Sequence, residues 1–101
     1  MSKLDFEFGD DAEIEFYNII DRYKKFDRSL STNFVQEFTR TVRRLLDFPK
    51  VGSPYLHGTK RIILQRFPYS IVYKIYREKV IVVYAVMHMS RKPDYWKGRL
   101  K

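Results

Sequence analysis

The side chains able to do chemistry gather in the second half of the chain. His57, Lys60, Arg61, Arg66, Tyr69, His88, Arg91, Lys92, Tyr95 and Trp96 supply imidazoles, cations, phenols and an indole. Such an inventory suits cleavage of an RNA phosphodiester without a metal. One group must take the 2′-hydroxyl proton, cations must stabilise charge building on the phosphorus oxygens, and an acid must protonate the leaving 5′-oxygen. Imidazole fits the acid or base role because its unperturbed pKa is about 6.5. Guanidinium grips phosphate with two parallel hydrogen bonds, and aromatic rings stack on splayed bases. Each group also has a plainer role. His88 at a strand end serves equally as a hydrogen-bonded structural histidine, and Arg61 and Arg66 as solvated strand residues. Tyr95 and Trp96 pin the tail over the sheet more readily than they stack on bases, and His57 is an ordinary loop residue. Residue types and spacing alone imply an anion-binding domain.

The charge distribution supports an anionic partner. Residues 1–48 hold ten acids and eight bases, whereas residues 49–101 hold two acids and twelve bases. A net charge of +8 segregated in this way points to nucleic acid or an acidic protein segment. Other chemistries are disfavoured. There is no glycine-rich phosphate loop, paired-histidine metal motif or nucleophile elbow. Two histidines and no cysteine argue against zinc and exclude disulfides. The carboxylates lie mostly in the first half, which argues against paired-carboxylate hydrolysis. The opening stretch has no long apolar run, so neither a signal peptide nor a membrane span is expected, and a cytoplasmic protein is.

The elements that must position these groups fit one domain over residues 1–101. Leu4, Phe6 and Phe8 alternate with polar neighbours, predicting a half-buried strand over Lys3–Phe8. Gly9 breaks it, and Asp10 or Asp11 is expected to cap a helix over 11–26, with Ala12, Phe16, Ile19, Ile20 and Tyr23 as its apolar stripe. Asp27, Ser29 and Ser31 are all candidate caps for a second helix, which buries Phe34, Phe38, Val42, Leu45 and Leu46 and ends before Pro49. The short connection predicts an antiparallel hairpin. Residues 50–58 read as a loop. Residues 60–67 alternate imperfectly. Tyr69–Tyr76 alternates well, placing Tyr69, Ile71, Tyr73 and Ile75 on one face. Val80–Met87 is apolar on both faces, as an interior strand is. The tail reads as irregular with room for a short final strand. An α+β fold follows: a strand, a helical hairpin, then a three-stranded antiparallel meander, with the helices on one sheet face.

"RIILQRFPYSIVY" followed by "VIVVYAVMHMSRKPDYWKGR" resembles the core of the RelE/ParE toxins of bacterial type II toxin–antitoxin modules. The matching residues are Arg61, Phe67-Pro68-Tyr69, Ile71, Tyr73, Ala85-Val86, His88, Arg91, Pro93, Tyr95-Trp96 and Arg99. The preceding strand and hairpin fit the same family, so the resemblance covers nearly the whole chain. It implies a small basic toxin, of the kind tied to plasmid stabilization, held inactive by a cognate antitoxin with an acidic tail. RelE-like members cleave mRNA in the ribosomal A site; ParE-like members poison DNA gyrase. By position, Arg61 and Arg91 match basic residues that RNA-cleaving relatives use near the scissile phosphate. His88 sits where some nuclease members place a catalytic histidine, and gyrase-directed relatives also keep one there. The expectation is therefore a ribosome-dependent mRNA endonuclease that needs no metal or cofactor and has the ribosome and mRNA as partners. His88, Arg91 and Arg61 are its catalytic residues, and Lys60, Arg66, Lys92, Tyr95 and Trp96 bind substrate. The alternatives are a gyrase inhibitor without enzymatic activity and a non-toxic, antitoxin-binding relative. No acidic residue lies between Pro49 and Phe67 to serve as a general base.

Overall fold

The alternation near the N-terminus becomes β1 (Asp5–Phe8) in the computed structural model, which describes residues 4–100; Lys3, the start of the expected strand, lies outside them. Helix α1 (Asp10–Phe26) begins one residue earlier than expected and has Gly9, not an aspartate, at its N-cap. Asp10 and Asp11 sit in the first turn instead, where their charge suits the helix dipole. Gly9 is required by a close approach. Its amide donates to the Val83 carbonyl at 2.9 Å, and a Cβ there would lie 2.7 Å from the same oxygen.

Asp27 alone joins α1 to α2 (Arg28–Asp47). Its amide closes α1 by donating to the Tyr23 carbonyl. Its carboxylate opens α2 by accepting from the Ser29 N–H at 2.9 Å and the Ser29 hydroxyl at 2.8 Å. Those bonds, the backbone one foremost, hold its pKa below the usual carboxylate value.

The sheet has five strands in the order β1-β5-β4-β3-β2. The last strand, β5 (Val80–His88), lies between β1, to which it is parallel, and β4 (Tyr69–Tyr76), to which it is antiparallel. Two short strands, β3 (Lys60–Ile63) and β2 (Ser53–Pro54), continue the antiparallel part. Three expectations are corrected. The strand over 60–67 stops at Ile63, because the Gln65 and Arg66 amides turn to Glu37 Oε2 (2.5 and 3.2 Å) rather than to a strand. The segment read as loop contains β2, which pairs with Lys60 and Arg61. The tail forms a 3-10 turn, Lys97–Arg99, and no strand.

The helices cover one sheet face. Phe16, Phe34, Phe38, Phe67 and Tyr69 interlock there with Ala12, Ile19 and Leu45. On the opposite face Val72, Ala85 and Met87 lie under Trp96, Tyr55 and Leu100. The tail thus covers what the helices do not, which explains why Val80–Met87 is apolar on both faces. Among the described residues no helix is long and apolar enough to cross a membrane.

One irregularity decides which way the end of β5 faces. Val72 pairs with Ala85 and Tyr73 with Val83, so Tyr84 is an extra residue in β5. A bulge of this kind reverses the alternation beyond it. Ile81 and Val83 face the helices before the bulge, and Val86 does so after it, while Ala85 and Met87 face the tail.

Candidate functional site

The bulge delivers His88 to the helix side of the sheet. Its ring meets Tyr69, its cross-strand partner, edge to face at 5.0 Å between centroids. The Ser90 N–H donates to His88 Nδ1 at 3.0 Å, so the neutral ring carries its proton on Nε2. The Ser90 hydroxyl lies 2.8 Å from the same nitrogen, and the Arg91 amide donates to the His88 carbonyl at 3.0 Å, which fixes the turn after the strand. The result is a cleft of about 480 Å³ between α1 and the end of β5, lined by Asn18, Arg22, Tyr69, His88, Ser90 and Arg91 among others. Arg22 donates to the Tyr69 hydroxyl at 3.1 Å. Arg91 stacks its guanidinium over the Tyr95 ring, 3.9 Å from the centroid. The cleft thus offers guanidinium, imidazole and amide donors.

Glu15 forms its inner wall. Because β1 ends at Phe8, opposite Val83, β5 has no strand neighbour on that side beyond the pairing. Side chains take the strand's place. The Val86 N–H donates to Glu15 Oε1 at 3.0 Å, and Arg99 Nη1 donates to the Tyr84 carbonyl at 2.9 Å. Arg99 also grips Glu15 with both terminal nitrogens, at 3.1 and 3.0 Å, and the Tyr95 hydroxyl donates to Glu15 Oε2 at 2.7 Å. Burial, the hydrogen bond to Glu15 and the carboxylate's charge together push the Tyr95 phenol well above its usual pKa. Both Glu15 oxygens are occupied, so the carboxylate that lines this cleft is not free to act as a general base.

Of the three expected catalytic residues, His88 and Arg91 share one cleft and Arg61 does not join them. Arg61 pairs across strands with Val72, on the tail face, and its guanidinium stacks over Tyr55 at 4.4 Å. His88 lies on the helix face with Tyr69 and Val86. Of the two arginines, Arg91 reaches the His88 cleft and Arg61 does not. The expected substrate-binding residues also scatter. Trp96 is completely buried on the tail face, packed near Tyr55 and the edge of His57, so its ring presents nothing to a substrate. Tyr95 is committed to Glu15. Lys60 pairs with Tyr73 and lies half-buried beside β2, Arg66 opens into a separate cleft against α2, and Lys92 is exposed in the tail. His57, in the left-handed region at φ 57°, lies 3.8 Å from Asp94.

Three helix residues went unnoticed in the sequence. Glu15, Asn18 and Arg22 complete the cleft from α1, and only their absence from the apolar stripe marked them. Among the described residues no three His, Cys, Asp or Glu side chains group to hold a metal.

Comparison with known proteins adds the family. The model for "ParE toxin of type II toxin-antitoxin system, parDE" matches residues 6–93. No curated protein matches the sequence. Among solved structures, the fold is similar to a chain of the chromosomal ParDE TA system from P. aeruginosa, with a TM-score of 0.73 and 18% identity over 85% of this chain and 96% of that one. It is also similar to E. coli toxin RelE, a double arginine-to-alanine mutant in the free state, with a TM-score of 0.60 and 20% identity over 89% of this chain and 86% of that one. At such identities the two structures speak for the fold alone.

Proposed function

The chain belongs to the ParE toxin family of type II toxin–antitoxin systems, and on that premise we propose that it arrests growth by binding DNA gyrase rather than by cutting mRNA. A cognate antitoxin holds it inactive. The observation that carries this reading is the placement of Arg61 and His88 on opposite faces of the sheet. A nuclease needs its acid or base and its phosphate-holding cation on one substrate atom cluster. Here the packed sheet separates Arg61 from His88, which leaves Arg91 as the one expected catalytic cation beside the imidazole, and the carboxylate lining that cleft is already saturated. The remaining cleft, with Arg22, His88 and Arg91, offers donors suited to carboxylates and peptide carbonyls on a protein surface. Binding needs no proton transfer.

The test pairs two measurements on the wild-type protein and on a folded His88→Ala/Arg91→Ala variant. Purified protein added to gyrase and supercoiled DNA is expected to accumulate broken DNA, with the variant weaker by about tenfold or more. RNA 5′-ends mapped within minutes of induction are expected to show intact messages. Codon-phased cuts inside translated messages, absent in the variant, would overturn the gyrase reading and restore the ribosomal nuclease. Harmless expression at verified soluble levels would instead identify a non-toxic relative.

A further inference from the structure

The cleft beside His88 continues along α1. Glu15, Asn18 and Arg22 line it, and their steps of three and four residues mark one face of the helix. The next residue on that face is Phe26, the last of α1. It stands one turn, about 6 Å, beyond Arg22, and helical side chains lean back toward the N-terminus, which tips the ring toward the cleft. Phe26 is 84% exposed, more than any other large apolar side chain among the described residues. Its backbone is nevertheless held firmly. The amide of Asp27, the next residue, closes α1 on the Tyr23 carbonyl at 2.9 Å, and the Asp27 carboxylate accepts from Ser29. Tyr23 itself packs the same turn against Phe34, Phe67 and Tyr69. Leu30, in the first turn of α2, is 37% exposed at the same tip of the hairpin. Around them Lys24, Lys25 and Arg28 are exposed, and among the described residues none of the three has a carboxylate within ion-pairing distance.

We propose that Phe26 is the aromatic anchor of the surface that grips gyrase, an inference that rests on the gyrase reading above. The segment of gyrase it fits carries carboxylates for Arg22 and Arg91 and, about one helical turn away, an apolar pocket that takes the Phe26 ring with Leu30 at its rim. Acidic side chains around that pocket face Lys24, Lys25 and Arg28. Binding energy at protein interfaces concentrates in aromatic and arginine anchors that are fixed before contact. Phe26 has the exposure and the rigid backbone for that role, and Arg22 beside it is already oriented by the Tyr69 hydroxyl at 3.1 Å. The anchor also supplies selectivity. The donors of the cleft accept any acidic surface, whereas the ring admits only one with an apolar pocket at the matching distance. A lipid surface would meet the tip but could not enter the cleft, and a nucleic-acid duplex would use the cations while leaving Phe26 and Leu30 in water.

The test uses the full chain carrying Phe26→Ser, with Phe26→Gln in its place should serine unfold the helix end, and Phe26→Leu to restore apolar bulk. Phe48→Ser is the control, because Phe48 is 65% exposed at the opposite end of the hairpin and lines no part of the cleft. Urea midpoints establish that each variant is folded. Affinity for immobilised purified gyrase is then measured beside the accumulation of broken supercoiled DNA. The expected result is gyrase affinity lower by about 30-fold for Phe26→Ser, partly recovered in Phe26→Leu and unchanged in Phe48→Ser, with DNA breakage following the same order. Equal binding by wild type and Phe26→Ser overturns the anchor and leaves the gyrase reading standing. Equal losses from Phe26→Ser and Phe48→Ser also overturn it, since any exposed ring would then serve. Wild-type protein that neither binds gyrase nor breaks DNA overturns the gyrase reading together with the anchor. If Phe26→Ser keeps its gyrase affinity but loses self-association in sedimentation, or binding to phosphatidylglycerol vesicles, the ring belongs to a second copy or to a membrane and the anchor is overturned.

Discussion

Glu15 and Arg44 are both charged helix residues lining clefts, yet their surroundings are opposite. Glu15 accepts from the Val86 amide, the Tyr95 hydroxyl and both terminal nitrogens of Arg99. Arg44 shares an open cleft with Arg40 and Arg66. The first charge replaces a missing strand and ties residues 86, 95 and 99 to α1. The second holds nothing together. Charged side chains on one small domain thus divide into those that build it and those left for a partner, and hydrogen-bond saturation separates the two groups better than net charge does.

The sharpest way to break this contrast is to attack the built side. Trp96→Ala removes the largest side chain under the tail, and urea unfolding is expected to show a loss of about 4 kcal/mol. A loss below about 1 kcal/mol would mean that the tail lies loosely on the sheet and that its charges are as free as those of α2. Glu15→Ala leaves the Val86 amide and the Tyr95 hydroxyl without their acceptor and strips Arg99 of its buried carboxylate, and is expected to cost about 3 kcal/mol by the same measurement, with Glu15→Gln recovering part of it.

Alkaline pH sharpens the contrast further. Folding raises the Tyr95 pKa, so the unfolded chain releases that proton first. The stability contributed by the neutral phenol is complete below the unfolded value of about 10 and is lost as pH rises from there toward the folded value. Urea midpoints at pH 8 and above pH 10 should therefore fall more for the wild type than for Tyr95→Phe. Equal falls would assign the alkaline loss to Tyr23 and Tyr73, whose phenols burial also raises. The smallest effect belongs to the bare side. Arg40→Ala and Arg44→Ala are each expected to change stability by no more than about 0.5 kcal/mol in thermal melts. A larger loss from either would give these arginines a structural role and weaken the division.

Local pattern carried the helices. The stripes from Ala12 to Tyr23 and from Phe34 to Leu46 are regular, and each contributes to the observed core. It could not carry the orientation of His88. Val80–Met87 is so uniformly apolar that every register buries something acceptable, and nothing in it announces an extra residue at Tyr84. The pattern therefore says nothing of whether Arg61 and His88 share a face, and the family resemblance alone groups them. For Trp96 the residue type left two roles open, base stacking or pinning the tail over the sheet, and its complete burial on the tail face fits the second. Glu15 finds Tyr95 and Arg99 80 and 84 residues away, beyond any local pattern. The spacing of Arg40 and Arg44 was visible, but both fall in the half of the chain whose charges sum to a small negative value.

The extra residue at Tyr84 also bears on how such a scaffold diversifies. Loss of one codon there would exchange the side chains of residues 85–88 between faces while leaving every other amino acid unchanged. Ala85 and Met87 would turn toward α1, and the imidazole of His88 would turn to the side where Arg61 and Tyr55 lie. Substitution would have to move each group separately. An in-frame deletion moves them together, so a single event within one strand would re-aim the whole end of the sheet.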